Sequence, residues 1–410
     1  MIVLRPRVRT LAWLVCLLGA SACEAAFPGS TGVDPVDESS RNDGGAPAAG
    51  GNGDLDNVGG EMGGQPPDEQ PATGGIAGGG GSGGQSGSGG MTGTGGTSTP
   101  PTGFPSLPAD PCGYAATRVV DAKDTQGLKD ALATATPGTR IVLAPGTYTS
   151  SFVISRSGRA GVPIVVCGPR TAIVQAGRSD DVIHITGDHI ILSGFDVRGG
   201  LRGVLTDGSE GVLLSALEVH DIGQEGVHLR AKSSKNLIRN CRIYNTGVSK
   251  AEFGEGIYVG SAVSSWAKYG GGTNQPDRSD GNLIIDNNIG PDVRAEHIDV
   301  KEGTSGGTVE GNSFDGRGMT GQGFADSWID VKGSQWLIAN NQGKTSLLDG
   351  FQVHVVADGW GRGNTFRGNR FDLAGSGYGV WIEKSAQDNK VACDNQLIGN
   401  AKGLSNVACE

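Results

Sequence analysis

The tetrapeptide Ile-Asp-Val-Lys occurs twice, at residues 298–301 and 329–332. Charged side chains are poor material for a strand interior, so the repetition asks for a chemical reason. If the two copies are equivalent strands on successive turns of a solenoid, Asp299 stacks on Asp330 and Lys301 on Lys332, about 4.8 Å apart. Two ammoniums at that distance repel by about 1 kcal/mol in water and about 3.5 kcal/mol at an effective dielectric near 20, which makes one easier to deprotonate. A lysine that is neutral near physiological pH is a general base. The aspartates oppose the effect, so its sign stays open unless a cation occupies the carboxylates. Asp299, Asp330 and Glu296 offer the hard oxygen donors that suit calcium.

Aligning the neighbouring segments on the apolar pairs Val227/Leu229, Ile257/Val259, Ile298/Val300, Ile329/Val331, Phe351/Val353 and Val380/Ile382 turns the residues between them outward, because side chains alternate along a strand. One outward column then reads His228, Tyr258, Asp299, Asp330, Gln352, Trp381. The next reads Arg230, Gly260, Lys301, Lys332, His354, Glu383, and a third Gly226, Gly256, His297, Trp328, Gly350, Gly379. Lys301, Lys332, His297, His354 and Arg230 are candidates to move a proton or steady a developing charge. Trp328, Trp381, Tyr258, His228, Gln352 and Glu383 would meet sugar rings and hydroxyls. The competing reading is a solvated face whose charges merely neutralise one another; tryptophans and histidines gathered on one face weigh against it. Glu296 has the parity of an inward residue but opens its strand, so a ligand role and a turn-fastening role both stand.

These columns require many short, in-register strands. After residue 150 the chain consists of brief alternating segments separated by Gly and Asn turns, as in "EGVHLRAKSSKNLIRNCRIYNTG" and "SWIDVKGSQWLIANNQG". A repeat of roughly 20–30 residues built only of short strands indicates a β-solenoid, whereas a sandwich would need hairpin turns between paired strands. The Asn-rich corners ("NCRIYN", "DNN", "ANN") suit left-handed turn geometry and hydrogen bonding along a stack. Before the strands, Leu128, Ala131, Leu132 and Ala135 fall at helical spacing and predict a short capping helix. The insertion 261–281 is longer than a corner needs; Trp266, Lys268 and Tyr269 are expected to form one wall of a groove, and Trp360 and Arg362 of "DGWGRGN" another.

The N-terminus, with Arg5, Arg7 and Arg9 before "LAWLVCLLGA", reads as an export signal over residues 1–22. Cys23 follows an A-x-A site and resembles a lipidation point, against the alternative of plain secretion. Residues 23–110 are Gly/Ser/Pro-rich with almost nothing to bury and read as a flexible tether. Residues 111–410 form the folded domain, with Cys393–Cys409 and Cys112–Cys167 as possible disulfides and Cys241 as a core residue. The net charge of −10 argues against a nucleic-acid or anionic-membrane binder, which needs a basic face. A lipid anchor at Cys23 would be the one membrane contact of an expected monomer.

The segments "PGTRIVLAPGTY", "VPIVVCG" and "ITGDHIILSGFDVRG", with the Asn-cornered coils after them, resemble the right-handed parallel β-helix family, in particular polysaccharide lyases of family 6 (chondroitinase B and alginate lyase type) and the family 9 pectate lyases. The resemblance covers about residues 117–400. It implies an all-β right-handed solenoid with a capping helix, an extracellular acidic polysaccharide as partner, and β-elimination at a uronate with a lysine base and calcium. Lys301 or Lys332 could match the family's base, and Glu296, Asp299 and Asp330 its acidic calcium ligands; the doubled Ile-Asp-Val-Lys departs from both families' patterns. A glycoside hydrolase using Asp299, Asp330 or Glu383, and a non-catalytic glycan-binding or adhesin module, are the alternatives on the same fold.

Overall fold

The computed structural model describes residues 102–410. The export signal, Cys23 and most of the tether lie outside the described residues. Within them, short strands form three parallel sheets of eleven, ten and ten strands, each strand pairing with its counterparts one coil before and one coil after. The result is a parallel β-solenoid. The expected helix forms at Thr125–Ala133, with Asp124 accepting a hydrogen bond from the Gly127 amide at 2.8 Å. Leu128, Ala131 and Leu132 turn inward and close the first coil.

The candidate residues lie on one of the ten-stranded sheets, which runs through Val227–Arg230, Ile257–Val259, Ile298–Val300, Ile329–Val331 and Phe351–Val353. Its register is the one the apolar pairs predict, with Ile298 beside Ile329, Asp299 beside Asp330 and Val300 beside Val331. The first and third residues of each three-residue strand enter the core and stack on their equivalents. β-branched residues suit this because a stiff side chain on a pleated surface loses little freedom when stacked.

The corners need hydrogen bonds as much as the strands do, since their backbone is buried. Asn287, Asn312, Asn341, Asn369 and Asn395 meet this need as one buried column. Each side-chain oxygen accepts the backbone N–H of the asparagine one coil earlier, from Asn312 (2.9 Å) to Asn395 (2.9 Å). Each Nδ2 donates to a strand carbonyl, as Asn341 does to Val309 at 2.9 Å.

At the N-terminal end, Tyr114 covers an apolar outer face formed by Val165, Ile191, Leu213 and Leu237, with Phe104 and Leu107 packed against it. The last residues read as tether therefore belong to the domain. The Cys112–Cys167 disulfide fastens this strap and Cys393–Cys409 ties the other end, while Cys241 is buried and free. Among the described residues no helix is long and apolar enough to cross a membrane.

Asn341→Ala leaves the Asn312 amide and the Val309 carbonyl without their partner, and should cost about 2–3 kcal/mol, since a buried group left unsatisfied loses about 1–3 kcal/mol. A urea titration against the exposed control Gln342→Ala checks this; equal midpoints would remove the column from the account of stability.

Candidate active site

Lys301, Lys332 and Asp299 form the centre of the arrangement. Asp299 Oδ2 lies 3.1 Å from Lys301 Nζ and Oδ1 lies 2.9 Å from Lys332 Nζ. Lys332 also reaches Asp330 at 3.2 Å. The three central side chains are only 3%, 5% and 11% exposed for Asp299, Lys301 and Lys332, so these are low-dielectric contacts. Burial alone would raise the Asp299 carboxyl, but the two lysines outweigh it and hold it well below the carboxylate range. Burial alone would lower the Lys332 ammonium; Asp299 more than reverses this and holds it above the usual lysine range, even against Lys301. The sign left open by the sequence is therefore upward for Lys332, because a carboxylate sits between the two ammoniums.

On the N-terminal side the same face carries Tyr258 and His228, whose rings tilt together at 4.4 Å. Burial, with Asp299 and Glu255 adding to it, keeps the Tyr258 phenol protonated. His228 bonds through Nε2 to the Gly260 carbonyl at 3.0 Å, and burial with Arg230 and Arg202 keeps it neutral. Arg230 grips Asp207 at 2.8 Å, and its guanidinium lies 4.3 Å from the Tyr269 ring centre, which sets the insertion beside this face. On the C-terminal side His354 bonds to Gln352 at 2.8 Å, lies 3.8 Å from Asp330 and tilts against half-buried Trp381 at 5.3 Å.

Several residues stand elsewhere than their spacing suggested. Trp328 is not on the outer face of the sheet. It is fully buried in the core, stacked between Phe314 (6.2 Å) and Phe371 (6.4 Å). His297 is likewise buried, its Nε2 meeting the Asp315 carbonyl at 3.0 Å, and burial lowers its pKa to about 4, so it stands in the core and not on the outer face beside Lys301. Both lie just before a strand, where the corner breaks the alternation and turns their whole column inward. The same corner turns the residue before that column outward. Glu296 thus joins Asp299, and Glu255 completes a buried trio whose ligand oxygens lie within 4.8 Å of one another. Asp330 is not in this trio and instead accepts from Ser327 at 2.8 Å.

Gln352 braces two acids of this face, its amide nitrogen donating to Asp326 (2.7 Å) and Asp349 (2.8 Å). Glu383 accepts the Val355 amide at 2.8 Å and also bonds Ser385. Glu255, Asp349, Asp326 and Asp207 were not read as site residues. A signal for two of them was present: an acid stands two positions before the first inward residue in "EGV", "EGI", "EHI" and "DGF", at Glu225, Glu255, Glu296 and Asp349.

The crystal structure of alginate lyase from Paenibacillus sp. str. FPU-7 is 41% identical to this chain, matching 70% of this chain and 99% of its own with a TM-score of 0.63. Pectate lyase Pel9A (17% identity, 71% of this chain and 80% of its own, TM-score 0.52) and a rhamnogalacturonan lyase (16%, 69% and 82%, TM-score 0.51) share the fold. No family model matches the chain, and no curated protein does.

Trp328→Ala empties the aromatic stack and should cost about 3–5 kcal/mol of stability; a stable variant with weakened polymer binding would put Trp328 back on the surface. Asp299 has a depressed pKa, so its stabilisation is complete above the unfolded value near pH 4 and is lost as the pH falls through the folded value. Wild-type stability should therefore fall on acidification below about pH 4, and Asp299→Asn should flatten that slope. Superimposable acid profiles would remove the ion pair from the account.

Proposed function

This chain belongs to the parallel β-helix polysaccharide lyases, and from that premise we propose that it cleaves alginate by β-elimination, with Lys301 as base. The carrying observation is the charge distribution around Asp299. Lys332 has carboxylates at 2.9 and 3.2 Å and is held protonated, which suits it to meet the uronate carboxylate. Lys301, one coil away on the same face, takes the C5 proton once it has itself shed a proton, since Asp299 stands 3.1 Å from it as well and favours its ammonium form. The electron pair of that C–H bond forms the C4–C5 double bond as the C4–O bond breaks. The leaving oxygen takes a proton from Tyr258, whose phenol burial keeps protonated. Arg230, two coils towards the N-terminus, and the half-buried edge formed by His354 and Trp381 would hold neighbouring sugars. The choice of alginate rests on the Paenibacillus enzyme.

Glu255, Glu296 and Asp299 fit a hard cation by donor type and by the 4.8 Å limit of their mutual distances. Calcium held there would draw charge from the uronate carboxylate. We also read the protein as exported, anchored at Cys23 and acting as a monomer on an extracellular acidic polysaccharide; the two disulfides support an oxidising compartment. The hydrolase alternative needs a carboxyl that is protonated near neutrality. Asp299 is held well below that range, which weighs against Asp299 as that acid; Asp326, bonded to Gln352, is the carboxyl that burial raises, to about 6.

The test is the ultraviolet absorbance of unsaturated uronate formed from alginate, with calcium and with chelator. Lys301→Arg should lose about 100- to 10,000-fold in rate, because arginine cannot act as the base. Lys332→Arg should keep part of the activity, because only its charge is required. Full activity in Lys301→Arg would overturn the base assignment, and indifference to chelator would remove calcium. Cleavage without a double bond would return the hydrolase reading.

A further inference from the structure

Next to the lysine column the surface turns a corner into an open recess of about 580 Å³, lined by Arg278, Ser305, Ser334, Trp360, Arg362 and Lys390 among others. That volume falls within the ~300–1,000 Å³ of ligand sites. The recess is built by segments that leave the central strands. Ser305 and Ser334 closely follow Lys301 and Lys332 in the chain. The loop that leaves His354 crosses back over Lys332, with the Gly361 amide donating to the Lys332 carbonyl at 3.0 Å, and so places Trp360 and Arg362. Trp360 meets Trp266 of the insertion edge-on at 6.5 Å, and the Arg278 guanidinium lies 5.5 Å from its ring centre.

The recess gathers three cations in a chain whose net charge is −10. Each has an acidic partner at the surface: Arg278 with Asp280 at 2.8 Å, Arg362 with Asp388 at 2.5 Å and Lys390 with Glu410 at 2.9 Å. The cations are 49%, 48% and 64% exposed. Ion pairs that wet contribute little to stability, so an incoming carboxylate can replace the partner at small cost. An arginine fork holds a carboxylate through two hydrogen bonds, Trp360 offers a flat face to a pyranose ring, and Ser305, Ser334, Gln335 and Thr365 offer groups for hydroxyls.

We propose that this recess binds a further uronosyl residue of the chain being cleaved, so that the polysaccharide leaves Lys301 and Lys332 across the coils, around the corner, instead of following the stacked column. The proposal rests on the lyase reading for the identity of the ligand. It makes Trp360, Arg278 and Arg362 length-sensing residues outside the reacting centre.

The test uses the full chain carrying Lys301→Ala, titrated calorimetrically with saturated alginate oligomers prepared by acid hydrolysis, from disaccharide to octasaccharide. Affinity should rise with length in this parent. Adding Arg278→Ala with Arg362→Ala, or Trp360→Ala, should lower octasaccharide affinity by about tenfold, the scale of one charge-assisted contact, and leave the shortest oligomers unchanged. Thermal unfolding verifies that each variant is folded, and Trp360→Phe should recover most of the loss. Equal affinity at every length with and without these substitutions would overturn the proposal, as would a parent that binds no oligomer. Failure of the unsubstituted protein to form unsaturated uronate would instead bring down the lyase reading, and the length dependence of binding would still decide the recess.

Discussion

A carboxylate shared by two ammoniums is what allows this surface to exist. In a parallel solenoid the strand register places equivalent residues of neighbouring coils side by side, and here it stacks Lys301 with Lys332 in a position that water scarcely reaches. Unrelieved, that contact would work against folding by more than an exposed pair does, because burial removes the screening. Asp299 relieves it by facing both ammoniums, and Lys332 also meets Asp330. Equivalent sequence positions thus acquire different chemistry from their neighbours along the stack.

The fold was legible because its rule is local. Ile298, Val300, Ile329 and Val331 carry the alternation, and the asparagines mark the corners, so register and sheet membership follow from the spacing alone. The site was legible where strands run and misleading where they end. Asp299, Asp330, Lys301 and Lys332 lie on or immediately after three-residue strands, and their neighbours came out as the spacing implied. Trp328 and His297 lie one step earlier, where the backbone bends and side-chain parity no longer holds. The aromatic core reveals the reason: a tryptophan next to Phe314, Phe351 and Phe371 gains more from burial than a lone ring on the surface could. Gly343 leaves room for it, since a Cβ there would lie 2.4 Å from the indole. Glu255 carries the same signal as Glu296, an acid two positions before the first residue of its strand.

The solenoid supplies positions and the loops supply walls. The insertion makes two ring contacts, Tyr269 with Arg230 and buried Trp266 with Trp360. It is held by buried Asp277, which accepts the amides of Ala231 and Lys232 at 2.8 and 2.7 Å. A segment tied to the coil beneath it can hold rings against a substrate without depending on its own secondary structure.

The paired Ile-Asp-Val-Lys strands also bear on how such a surface could arise. In a stack whose coils bond chiefly to their neighbours, duplicating one coil's worth of gene inserts a rung without disturbing the others. The copy arrives in register, so its charged residues are placed on the ancestral face at once. Later divergence then need only alter what surrounds each copy, as Ser327 does where the preceding rung has Glu296, bonding Asp330 instead of offering a carboxylate.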